Sequence, residues 1–157
     1  MDYFLFNFSG VQFHYTMSLQ FFRCAISLYN EPTLNLQYAI ACYAGDARYY
    51  PDYEDYKSRA VLYAGKTLKL LEQNKNQYSE ADILLPRLLA YVLLQDYDAA
   101  ARTVKRINSI CGKYSPAYTL AEEYERLAAD GQWLWRVSRK EDAEKDFLLY
   151  SVDEWGI

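Results

Sequence analysis

The stretch Leu84-Leu85-Pro86-Arg87-Leu88-Leu89-Ala90-Tyr91-Val92-Leu93-Leu94-Gln95-Asp96-Tyr97-Asp98-Ala99-Ala100-Ala101-Arg102-Thr103-Val104-Lys105-Arg106-Ile107 decides the fold. Apolar residues crowd its first half. After Asp96 they fall at Tyr97, Ala100, Val104 and Ile107, spacings of three and four that mark one face of an α-helix. Asp96 stands between the two runs, where a short acidic side chain can cap the helix that follows. Gly112 marks the end of that helix, so residues 97–111 are predicted helical. Two helices joined by so few residues lie antiparallel.

Working outward, the polar run 72–79 reads as a turn, and Ser79 with Asp82 forms a capping arrangement for the apolar helix. Upstream, Pro51-Asp52 opens a helix to about residue 73, with Tyr56, Ala60, Tyr63, Ala64, Leu68 and Leu71 on its apolar side and Gly65 weakening it. Thr33 or Asn35 is predicted to cap an earlier helix that runs to Ala44 and stops at Gly45. Before it, Leu19, Phe22, Ile26 and Tyr29 predict a first helix from Thr16, closed by Pro32. Downstream, Ser115-Pro116 starts a sixth helix to about residue 130, and Ser138 with Glu141 starts a seventh ending near Tyr150. Residues 2–16 alternate aromatic and polar side chains around Ser9-Gly10, the pattern of a short hairpin or of an irregular arm packed on the helices. The expectation is a single all-α domain over residues 1–157: an arm at 1–16, about seven helices over 17–150, and a tail at 151–157.

The series Leu84, Leu88, Tyr91, Tyr97, Ala100, Val104, Ile107 resembles a tetratricopeptide repeat, with Tyr91 at the first-helix tyrosine and Ala100 at the small residue where the two helices touch. The second-helix pattern recurs as Val61, Ala64, Leu68, Leu71 and as Lys140, Ala143, Phe147, Tyr150. From Ala64 to Ala100 the offset is 36 (100-64), near the repeat's roughly 34 residues, and from Ala100 to Ala143 it is 43 (143-100). Arg87 replaces a usual leucine, Gly112 a usual proline, and Pro86 interrupts a first helix. The likeness covers 84–112 well, the last third weakly and the first fifty residues hardly at all. It implies a right-handed stack of helix hairpins, a concave face lined by the first helix of each pair, and the binding of peptides or helices of other proteins.

Charge and composition exclude several functions. A net charge of -4 is unfavourable for a nucleic-acid surface, and Lys57, Arg59, Lys66 and Lys69 are interleaved with Glu54, Asp55 and Glu72 as on an ordinary solvated helix. Cys24, Cys42 and Cys111 have no metal-binding spacing, which suits a reducing, cytoplasmic setting. No apolar run is long enough for a bilayer, and the N-terminus lacks the basic start of a secretory signal. His14 is the sole histidine and no nucleophile, phosphate-cradle or zinc-protease motif is present, so no catalytic residue, metal or cofactor is expected. Glu122-Glu123 and Asp142 with Glu144 read as solvated charge; Tyr49, Tyr50, Tyr53 and Tyr56 read as packing more readily than as a binding patch. Trp133 and Trp135 cannot both reach one core.

The most apolar helix poses the functional question. With Leu84, Leu88 and Tyr91 packing within the repeat, Leu85, Leu89, Val92 and Leu93 are left toward the concave side. A helix apolar all round must be covered all round. Either the arm and the first helix fill that groove, or the apolar helix of a partner does. The expected function is thus a protein-interaction module, an adaptor or chaperone. The rival is a structural subunit of a larger assembly or a homodimer using the apolar N-terminal third as its interface, and an enzyme with an unrecognised site is the remaining alternative.

Overall fold

The computed structural model describes residues 21–44, 53–129 and 147–148. Among them all regular structure is helical: α1, described over 21–28, α2 (Pro32–Ala44), α3 (Tyr53–Gln73), α4 (Glu80–Leu93), α5 (Tyr97–Ile110) and α6 (Pro116–Ala129), with a 3-10 turn at Lys75–Gln77 between α3 and α4. The all-α expectation holds. The arm, His14, Tyr49, Tyr50, Trp133, Trp135 and the tail lie outside the described residues, as does the seventh helix except for helical residues 147 and 148.

Local chemistry sets the helix ends. Ser79 accepts the Asp82 N–H at 3.2 Å and Asp96 accepts the Ala99 N–H at 3.1 Å, each satisfying a donor that the first turn cannot. Ser115 does the same for the Tyr118 N–H at 3.2 Å ahead of Pro116. Pro32 starts α2 instead of closing α1: the Glu31 carbonyl already accepts the Asn35 N–H at 3.2 Å, which makes proline the first helical residue, where its missing N–H is harmless. Asn35 is therefore buried inside α2, donating its side-chain amide to the Glu31 carbonyl at 2.7 Å.

The α4 to α5 corner is the tightest. Gln95 takes a positive φ of 57°, its N–H donates to the Val92 carbonyl, and the Asp96 N–H donates to the Tyr91 carbonyl. This pairing closes the last turn of α4 in a left-handed cap usually built on glycine. Gly112 has no such role, since Cys111 ahead of it already leaves α5 in an extended conformation. Pro86 sits inside α4 and leaves without an intrahelical donor the carbonyl of Asp82, an exposed residue that water can reach.

Packing explains why α4 is so apolar. Helix α4 is touched by α2, α3, α5 and α6, so nearly its whole circumference lies against protein. The other substantial contacts are α2 with α3 and α5 with α6. One cluster joins Phe22 of α1, Leu36 and Ile40 of α2, Ala60 and Ala64 of α3, Leu88 and Leu89 of α4, Val104 and Ile107 of α5, Leu120 of α6 and the pair Phe147, Leu148. Several of the core positions are small residues. Ala64 and Ala100, equivalent in the repeat pattern, are both fully buried.

Candidate interaction surfaces

Leu85, Leu89, Val92 and Leu93, the residues expected to line a groove, are closed off by the chain itself, none more than 5% exposed. The reason is geometric: four neighbouring helices surround α4, so Leu89, Val92 and Leu93 meet helix, and of the four only Leu85 reaches the edge of an opening. Leu84, Leu88, Ala100, Val104 and Ile107 are buried, while Tyr91 and Tyr97 are half-buried. Beyond its first turn, the half-buried residues of α4 are Arg87 and Tyr91, with Leu94 just past its end.

Two accessible apolar features among the described residues lie close to α4 or on α3. The first is a cleft of about 280 Å³ where the start of α4, the end of α5 and the start of α6 converge. Leu85, Ile110, Pro116 and Ala117 give it apolar walls, and Asp82 and Ser115 are its polar members. Cys111 lines it too, but burial pushes its thiol up, with Asp82 and Glu80 adding to the rise. A thiol held protonated in this way makes a poor nucleophile. Glu80 is engaged beside it by a two-pronged bond from Arg106, at 2.5 and 2.8 Å, which holds the Glu80 carboxyl below its usual range.

The second feature is the outer face of α3. Ala60, Ala64, Thr67 and Leu71 point inward and are buried, whereas Ser58, Val61, Leu62, Gly65, Lys66 and Lys69 are exposed. Val61 and Leu62 are about half exposed, at 49% and 54%. Gly65 lies between them and the lysines, and a Cβ built on it meets nothing within 4 Å. Such a glycine costs its helix roughly 1 kcal/mol relative to alanine, and no packing among the described residues calls for it.

Buried polar chemistry is confined to the core. Tyr38 of α2 is 1% exposed and packs edge-on to Tyr63 of α3, ring centroids 4.6 Å apart. Burial pushes its phenol up to about 12, helped by Cys42 and opposed by a hydrogen bond from Arg59. Tyr38 is not among the residues that line the cleft at Ile110. No group of three or more His, Cys, Asp or Glu that could hold a metal occurs among the described residues, and no helix there is long and apolar enough to cross a membrane. All three cysteines are free.

Comparison with protein-family models, with curated proteins and with solved structures finds no match. Sequence reasoning missed the cleft because its walls come from residues 81–85 and 110–117, on three elements. One signal was available: Ile110 follows Ile107 by three residues, extending the apolar series of α5 past the point where α5 has a neighbour to bury it.

Proposed function

We propose that the chain is a helical-repeat interaction module of the tetratricopeptide-like kind, an adaptor or chaperone that holds an apolar segment of another protein. The observation that carries this reading is the order in which its helices touch. Helix α2 meets α3, α3 and α2 both meet α4, α4 meets α5, and α5 and α4 both meet α6. Stacked hairpins require this order: each second helix touches its partner and the next first helix, and first helices touch one another. With α4 sealed, a partner is offered the outer features, namely the cleft at Ile110 and the face of α3. Free cysteines and the acidic balance suit a reducing, cytoplasmic setting.

A second reading has its own support. Phe21, Leu28 and Tyr29 around α1 are 52%, 75% and 64% exposed, an apolar edge suited to a permanent contact within an assembly or homodimer. The deciding experiment immobilises the intact chain, captures partners from its native cell and reconstitutes the complex from purified components, with mass in solution measured in parallel. A monomer that forms a defined complex supports the module. A dimer that persists until unfolding, with no captured protein, overturns it in favour of the structural subunit.

A further inference from the structure

We infer that the outer face of α3 docks an amphipathic helix of another protein, crossing at Gly65 and flanked by Asp or Glu residues. The inference rests on the interaction reading and names the partner's chemistry. Val61 and Leu62 supply exposed aliphatic surface, and Gly65, one turn further along, removes the side chain that would otherwise hold a second helix away. Packing among the described residues gives no reason for that glycine; a close helix crossing does.

The charges beside it decide what kind of helix fits. Lys66 follows Leu62 by four residues and Lys69 follows Gly65 by four, so both ammonium groups border the apolar patch. Lys66 lies 4.4 Å over the Tyr63 ring, and among the described residues neither lysine has a carboxylate partner. The one acid in the second half of α3, Glu72, is engaged by Lys75 at 3.0 Å and Arg87 at 3.4 Å. A chain of net charge -4 thus places two lysines beside the exposed leucine and valine on their C-terminal side, beyond Glu54 and Asp55 at the start of the helix. An acidic helix satisfies both parts. A second copy of this face does not, because two copies crossing at Gly65 would set the Lys66 ammonium groups of both beside each other.

The test uses the full chain and two synthetic helical peptides of about 20 residues, long enough to hold a helix when docked. One has leucine and alanine on one face and glutamate on the other; its counterpart has lysine in place of glutamate. The glutamate peptide should bind at least about tenfold more tightly than the lysine peptide. The double change Lys66→Glu, Lys69→Glu should invert that preference, and Leu62→Asp should remove binding. Gly65→Gln should weaken binding about tenfold while raising the melting temperature, since glutamine favours a helix and its space is open. That divergence separates a docking role from a folding one. Equal binding of both peptides, indifference to these substitutions, or binding to phosphatidylglycerol vesicles in place of either peptide would overturn the assignment. Loss on Ile110→Asp but not on Leu62→Asp would also overturn it while leaving the interaction reading standing, and that reading fails separately if no cellular partner is captured.

Discussion

Replacing Leu89 with alanine discriminates a sealed α4 from one that keeps an open groove. Leu89 is fully buried, and Val92 and Leu93, its neighbours on the same side of the helix, are 1% and 2% exposed. The change deletes three carbon atoms, worth roughly 2 kcal/mol in transfer free energy at about 0.8 kcal/mol per methylene. Four surrounding helices cannot all move in to fill the space, so a cavity term adds to it and the total comes to about 3 to 4 kcal/mol. For a chain of this size each kcal/mol lowers the melting temperature by roughly 2 to 4 °C, which predicts a fall on the order of 10 °C. Urea unfolding followed by circular dichroism gives the free energy directly, with an unchanged denaturant slope showing that the native state has kept its compactness. A loss within about 0.5 kcal/mol, as at an exposed position, would refute the closed packing of α4.

Three other perturbations probe separate parts of the architecture. Ala100→Leu inserts a larger side chain at a fully buried position of α5, the helix paired with α4, and should cost about 1 to 3 kcal/mol in chemical unfolding. Gln95→Gly should stabilise the chain by about 1 kcal/mol in the same assay, because it relieves a side chain held at φ 57°. The Tyr38 phenol is raised in the folded state to about 12 from its ordinary 10, so above pH 10 the unfolded chain holds fewer protons and stability falls. Its contribution is fully present below pH 10 and lost as pH rises through 12, a decline on the order of 2 kcal/mol that Tyr38→Phe should lack when both proteins are titrated.

What could be read in the sequence was local. Ser79, Asp96 and Ser115 each act on the donor three residues on, so their caps follow from spacing alone. Pro32 was ambiguous because proline both ends and begins helices; the Glu31 carbonyl, accepting from Asn35, makes it a beginning. Gln95 gave no warning of its left-handed conformation, which the pull of two packed helices imposes on a residue with no preference for it. The apolar character of α4 announced that the helix is covered. Whether neighbours or a partner cover it depends on where α2, α3, α5 and α6 come to rest, a tertiary fact that no periodicity encodes. For the same reason the cleft and the face of α3 emerge only once the helices are placed.

The burial of α4 within the chain's own helices is the central claim. Amide hydrogen exchange resolved along the chain tests it most directly. The claim predicts that the slowest amides lie in α4, between Leu88 and Leu93, and that they exchange only through global unfolding, with an opening free energy equal to that from denaturant. Exchange in α4 as fast as at the exposed ends of α5 and α6, through openings well below the global free energy, would contradict it.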